Sequence, residues 1–233
     1  MLNGKQPTVK SPKNAPKTAG IAQNTPERRV IILLNGEGYN GEIDGENAVV
    51  LCADGAYRWA KRKIKIDENL GDFDSLDETP FPPPKEIYPT QKDCTDGEIA
   101  LEKALALVEA GKASRIEIYG GGGGREDHFL GNLHLLYRAQ KSGVFCVMKT
   151  NYADIFVAEG KIVLENVKGK TVSLFPFGGD AHIMDSAGLF YAAEDLTLPY
   201  GVCRGVSNVA TADRAEIFCD KGVLLVFVNH GGV

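Results

Sequence analysis

The sequence predicts an α/β + β protein, with an N-terminal open parallel α/β sheet domain of Rossmann-like type followed by a C-terminal antiparallel β-sandwich or barrel. Three observations carry this expectation. From about residue 28 to 150, short apolar runs ending in glycine or aspartate alternate with segments of helical periodicity. After Asn151 that periodicity vanishes, and the segments that follow are short, alternating or β-branched, and separated by Gly, Asp or Pro turns. With 233 residues, 43% of them hydrophobic, the chain is long enough for two domains of modest size, each with a core.

Residues 1–27 are rich in Lys, Pro, Asn and Thr and nearly devoid of large apolar side chains, the composition of a disordered N-terminal tail outside the fold. The α/β domain is expected over 28–152 and the β domain over 153–233. VIILLNG (30–36) and AVVLCADGA (48–56) read as buried strands, and GAYRWAKRKIK as a helix with Ala56, Trp59, Ala60 and Ile64 on one side. Short strands are expected near Asn69–Gly71 and at EIYPT, on either side of a proline-rich loop. In TDGEIALEKALALVEAGK, Thr95 and Glu98 have capping-box spacing, Leu101, Leu105 and Val108 form a stripe, and Gly111 stands at the stop. RIEIYG reads as a strand, the glycine run leads into a helix ending near Gly143, and FCVMKT closes the first half. DIFVAEG, KIVLENV, TVSLFPF, AEIFCD and VLLVFVNH read as the strands of the second.

A formal charge of −5 argues against nucleic-acid binding, which normally shows as a basic surplus, and favours a small-molecule partner. No stretch of 18 apolar residues reads as a membrane span, and no apolar signal segment is evident. Five scattered cysteines without a C-x-x-C pair fit free thiols in the cytoplasm.

Four polar clusters share one topological address. Asp54 follows AVVLCA, Asp72 and Asp74 follow NLG, Asp93 and Asp96 follow EIYPT, and Gly120–Gly124 with Arg125 and Asp127 follow RIEIY. In an open α/β sheet the carboxyl ends of the strands are where ligands bind, so these loops can converge. Each residue also has a plain structural reading: Asp54 as a turn former, Asp72 and Asp74 as turn plus solvated surface, Asp93 as an ordinary loop residue, Asp96 as a first-turn acid, Asp127 as a helix cap. The glycine run is not a Walker A loop, because no Gly-Lys-Ser/Thr follows, yet it lets backbone N–H groups approach an anion, to which Arg125 adds a charge. Several carboxylates beside a phosphate-type loop pose a charge problem that Mg²⁺ resolves, since it prefers oxygen ligands and bridges carboxylates to phosphates. Metal-dependent phosphoryl or nucleotidyl transfer follows.

Taken together, ADGA (53–56), GDFDSL (71–76), QKDCTDGEIAL (91–101), GGGREDHFLGNLHLL (122–136) and GVSN (205–208) resemble, in order and spacing, the thiamine pyrophosphokinase (thiamin diphosphokinase) family. The resemblance implies transfer of the pyrophosphoryl group of ATP to the hydroxyl of thiamine, giving thiamine diphosphate and AMP, with Mg²⁺ required. It implies a homodimer with active sites between subunits. By motif position, Asp72, Asp74, Asp93 and Asp96 form the acidic catalytic and metal site, with Asp127 also catalytic. Asp54, Gln91, Lys92, Gly122, Gly123, Gly124 and Arg125 meet the nucleotide, and Ser207 and Asn208 meet thiamine. Two other readings remain open: another metal-dependent nucleotide transferase, and a non-catalytic thiamine or nucleotide sensor.

Overall fold

The computed structural model describes residues 18–21, 28–73, 76–77, 79–85 and 93–232. Its first half is built from β2 (Arg29–Leu33), β3 (Ala48–Ala53), α1 (Tyr57–Ala60), β4 (Glu68–Leu70), α2 (Asp96–Glu109), β5 (Arg115–Tyr119), α3 (Glu126–Lys141) and β6 (Phe145–Lys149). Strands β4, β3, β2, β5 and β6 lie side by side in that order, all parallel. The run VIILL is continuous rather than alternating because both faces of β2 are covered. Val30 and Ile32 join the cluster that includes Leu101 and Leu136 of the helices, while Ile31 and Leu33 join the cluster around Tyr57 and Ala60 on the other side. Burying each such side chain contributes about 1.5–3 kcal/mol.

Chain order reverses direction at β2: β3 and β4 extend the sheet to one side, β5 and β6 to the other. The loops after β2 and β5 therefore leave neighbouring strands towards different elements and open a crevice between them. At the start of α2 both halves of the expected capping box are made, Glu98 N donating to Thr95 Oγ1 (3.2 Å) and Thr95 N to Glu98 Oε2 (2.8 Å). Gly111 (φ 68°) and Gly143 (φ 73°) supply the left-handed residues that end α2 and α3.

The expected helix over GAYRWAKRKIK is much shorter. A 3-10 turn at Asp54–Ala56 leads into the single turn of α1, and the chain then bends away through Lys61–Lys63. A tertiary contact outweighs the helical propensity of this stretch: the Lys63 ammonium is held by the carbonyls of Tyr39 and Gly41. The strand expected at EIYPT lies outside the described residues.

The second half comprises β7 (Ala153–Glu165), β8 (Lys170–Pro176), β9 (Ala181–Ala187), β10 (Leu196–Leu198), β11 (Asn208–Val209) and β12 (Arg214–Gly232). DIFVAEG and KIVLENV, expected as separate strands, are one strand, β7; AEIFCD and VLLVFVNH are likewise joined in β12. Glycines 160 and 222 both have positive φ (72° and 81°) but do not end strands. They sit at an irregularity where the step from Cys219 to Leu224 faces only the step from Gly160 to Ala158. A bulge and a hairpin turn ask for the same residue type, so the sequence does not separate them.

β7 pairs antiparallel with both β6 and β12, so among the described residues one twelve-stranded mixed sheet runs through both halves. The cluster under α2 and α3 likewise continues into Ala153, Ile155, Val157, Val223 and Leu225, and a further cluster fills the β-rich half. Thr18–Ile21, expected in the tail outside the fold, instead forms β1, parallel to β7 from Thr18 beside Lys161 to Ile21 beside Leu164. Strand pairing is made by backbone groups, so a stretch poor in large apolar residues can still join a sheet. All five cysteines are free thiols; burial pushes the Cys52 thiol up to about 12. Among the described residues no helix is long and apolar enough to cross a membrane.

Candidate active site

The carboxyl ends of β2, β3 and β5 and the first turns of α2 and α3 surround a cleft of about 1130 Å³. Its floor is set by a hydrogen-bond ladder that continues past the end of the sheet. Leu34 N donates to Tyr119 O (2.8 Å), Gly36 N to Gly120 O (2.8 Å) and Glu37 N to Gly122 O (2.7 Å), while Asn132 Nδ2 reaches Gly121 O (2.8 Å). The carbonyls of Gly120, Gly121 and Gly122 are thus taken up by protein donors. That orientation suits an anion, which a carbonyl facing it would repel.

The run must be glycine for two separate reasons. Gly120, Gly123 and Gly124 hold φ of 69°, 71° and 75°, in the left-handed region. Gly121, by contrast, lacks room, since a Cβ there would stand 2.3 Å from Met148 Sδ. The same tightness fixes the neighbouring loops. A Cβ on Gly71 would be 2.6 Å from Asp54 Cβ, so the loop carrying Asp72 lies directly against Asp54; one on Gly55 would meet Asn35 Nδ2 at 2.1 Å.

Of the residues singled out in the sequence, Asp54, Asp96, Gly123, Gly124, Arg125 and Asp127 line this cleft together. Asp54 is buried at the top of β3 and Asp96 half-buried at the first position of α2. Gly122 lines a smaller pocket on the other side of the glycine loop. Asp72 and Asp93 stand on flanking loops and are not lining residues. Asp74, Gln91 and Lys92 lie outside the described residues. Among the described residues no three His, Cys, Asp or Glu side chains are grouped closely enough to hold one ion.

Arg125 precedes α3, and its guanidinium grips Asp127 through two contacts, Nε to Oδ1 at 3.1 Å and Nη2 to Oδ2 at 2.6 Å. Asp127 Oδ1 also accepts from His128 N (3.0 Å). The Arg125 contact, helped by that backbone donor, holds the Asp127 carboxyl at about 2, below the usual carboxylate range, and Asp127 in turn raises Arg125. Both side chains are largely exposed, so this fork is a positioned, fully ionised pair at the cleft mouth and a weak contributor to stability. Arg138, one side of α3 further on, bridges Glu98 (3.7 Å) and Glu102 of α2.

Sequence reasoning missed the loop after β2. Asn35 and Glu37 line the cleft, and the signal was available, because NGEG follows a buried strand as the other four clusters do. Asn132 and Arg138 of α3 were missed as well; nothing but the folded helix marks them.

Ser207 and Asn208 are in the β-rich half, away from this cleft's lining. Asn208 Nδ2 donates to Tyr191 O (2.7 Å), and its Oδ1 accepts from Tyr191 N (3.0 Å) and Val209 N (2.9 Å). Its amide therefore braces the loop carrying Phe190 and Tyr191, an edge-to-face pair each 67% exposed. Ser207, at φ 61°, donates its N–H to Ser173 Oγ (3.0 Å).

Two family models match the chain: the thiamin pyrophosphokinase catalytic domain over residues 43–148 and the thiamin pyrophosphokinase vitamin B1 binding domain over residues 160–224. The chain belongs to the thiamine pyrophosphokinase family. The thiamine pyrophosphokinase of Bacillus subtilis (strain 168) is 32% identical over 168 residues, covering 68% of this chain and 76% of that protein. The crystal structure of thiamine pyrophosphokinase from Bacillus subtilis superposes with a TM-score of 0.76 at 26% identity, covering 86% of this chain and 98% of the other. Yeast thiamin pyrophosphokinase, at 19% identity and a TM-score of 0.65 over 93% and 92% of the two chains, shares the fold.

Proposed function

We propose that the chain transfers the pyrophosphoryl group of ATP to thiamine, forming thiamine diphosphate and AMP. One observation carries the reading: Asp54, Asp96, the glycine loop and the Arg125–Asp127 fork, far apart in sequence, line a single cleft. The glycine loop and Arg125 bind the phosphates, and Asp127 fixes the direction in which Arg125 points. Gln91 and Lys92 contact the nucleotide. The donors around the cleft suit Mg²⁺, being carboxylates rather than thiols, and this ion commonly takes one or two protein carboxylates together with substrate phosphates. Within the acidic set Asp54, Asp72, Asp74, Asp93 and Asp96, one or two carboxylates would hold it. There it would neutralise phosphate charge.

The hydroxyl oxygen of thiamine attacks the β-phosphorus, the bond from that phosphorus to the α–β bridging oxygen breaks, and AMP leaves. An aspartate of the acidic set accepts the hydroxyl proton. Because the β- and γ-phosphorus atoms are chemically alike, the choice between them rests on positioning by the loop. The acidic surroundings also favour the cationic thiazolium. Ser207 and Asn208, with the exposed Phe190 and Tyr191, form the thiamine side, completed across a homodimer. Under this reading residues 28–152 are a Rossmann-like catalytic unit and 153–233 a β-sandwich that binds thiamine, working in the cytoplasm.

Incubation with ATP, Mg²⁺ and thiamine, followed by chromatographic separation, is expected to give AMP and thiamine diphosphate in equal amounts. Formation of ADP and thiamine monophosphate would overturn the assignment of the attacked phosphorus. No thiamine-dependent product at all would overturn the reaction itself.

A further inference from the structure

Behind the glycine loop lies a second pocket, of about 280 Å³, which shares Glu37, Gly123 and Tyr152 with the main cleft. We infer that this pocket takes the nucleobase of ATP while the glycine loop holds the phosphates. The inference rests on the proposed function and assigns a specificity-determining site within it.

Size is the first argument. Pockets for whole drug-sized ligands run from roughly 300 to 1,000 Å³, so this one has room for a single flat bicyclic ring and not for an entire nucleotide. The larger cleft beside it has room for a triphosphate and an acceptor. Wall chemistry is the second. Phe129 of α3, Ile155 of β7 and Phe227 of β12 present apolar faces, and the glycines at 120, 122 and 123 put no side chain in the way of a ring. Such walls suit a neutral heteroaromatic ring better than the cationic thiazolium.

Connection is the third argument. The two spaces meet at Glu37 and Tyr152, whose hydroxyl donates to Glu37 Oε1 (3.3 Å). Glu37 is held there by its own N–H on Gly122 O and lies so close to Gly123 that a Cβ on that glycine would be 2.4 Å from Glu37 Cβ. A carboxylate at the passage between base and phosphates stands where ribose hydroxyls would pass, and it can accept hydrogen bonds from them. Several other polar side chains of the rim are turned towards the protein, Asn229 Nδ2 among them, on Thr171 O (3.2 Å). Thr150 Oγ1 donates to Ala153 O, and Asn151 spans Gly38 O and Asn40 N. Lys149 and His230 share Asp154, at 3.7 and 3.1 Å. Shape and stacking therefore select the ring more than hydrogen bonds do, Tyr39 being the one further polar side chain among the described lining residues.

The test compares ADP with inorganic pyrophosphate, both measured with Mg²⁺ by calorimetry on the full chain, in wild type and in Phe129→Ala and Phe227→Ala. Each substitution removes one aromatic side chain from the lining, and circular dichroism verifies folding of each. Loss of one aromatic face is expected to weaken ADP about tenfold while leaving pyrophosphate unchanged. KM for thiamine should stay where it is. Equal weakening of ADP and pyrophosphate in both folded variants, or no weakening of either, overturns the assignment. A rise in the thiamine KM with ADP unaffected also overturns it, giving the pocket to the aminopyrimidine instead. Wild-type protein that binds neither ADP nor pyrophosphate refutes the proposed function together with this inference.

Discussion

Adjacent glycines in the phosphate loop allow backbone conformation and space to be perturbed separately. Gly123 and Gly124 have nearly the same φ, 71° and 75°, so alanine at either meets the same left-handed strain, about 1–2 kcal/mol. Their surroundings differ. A Cβ on Gly124 has nothing within 4 Å, whereas one on Gly123 would stand 2.4 Å from Glu37 Cβ. In Gly123→Ala the loop after β2 must therefore retreat as well, and the 2.7 Å bond from Glu37 N to Gly122 O is lost, at a further cost of about 0.5–1.5 kcal/mol. If the strain is relieved by the loop leaving its binding conformation, Gly124→Ala weakens ADP by roughly 5- to 30-fold. Gly123→Ala weakens it by about another factor of 2 to 10. Calorimetric titration with ADP reads both, and urea unfolding reports whether strain is instead retained as lost stability. Equal affinities together with equal stabilities in the two variants would refute the claim that Glu37 packs against the loop, and wild-type affinity together with wild-type stability in both would refute the left-handed geometry.

Asp54→Asn and Asp72→Asn should each reduce turnover at least about a hundredfold while leaving the circular dichroism spectrum unchanged, since asparagine keeps the shape and removes the charge that Mg²⁺ needs; normal turnover in either would move the metal site elsewhere. The depressed Asp127 carboxyl contributes above the ordinary carboxylate value of 3.8 and loses its contribution as pH falls towards about 2. NMR titration should thus show Asp127 ionised throughout the neutral range, and Arg125→Ala should return its midpoint to the ordinary range. Asn208→Ala frees the Phe190–Tyr191 loop, and the thiamine KM is expected to rise with the ATP KM unchanged; a rise in the ATP KM alone would show that this loop serves the nucleotide.

The sequence was most readable where one residue has one physical job. Thr95 and Glu98 announce a helix start because a capping box has few other uses, and VIILL announces a strand covered on both faces. Asp54, Asp96, Arg125 and Asp127 were found by topology, from the rule that strand ends in a parallel sheet share an edge. The same rule, applied to the first strand, would have found Asn35 and Glu37. Less readable were features in which one residue type serves several geometries. Gly160 and Gly222 looked like strand ends and are part of a bulge between long paired strands. The sequence also does not show that the Asn208 amide is bonded to the backbone of Tyr191, a partner that only the folded chain brings near.

The unbroken sheet limits how this enzyme can be taken apart. β7 is the partner of β6 and β12 the partner of β7, and these two strands also supply Ile155 and Phe227, two walls of the small pocket beside the glycine loop. A fragment ending at residue 152 would expose the β6 edge as a row of unmet backbone donors and acceptors. It would also uncover the apolar surface that Ala153, Val157, Val223 and Leu225 normally meet. Such a fragment is expected to self-associate through that edge, so the phosphate loop of this chain depends on the β-rich half for a soluble scaffold as well as for two walls of its neighbouring pocket.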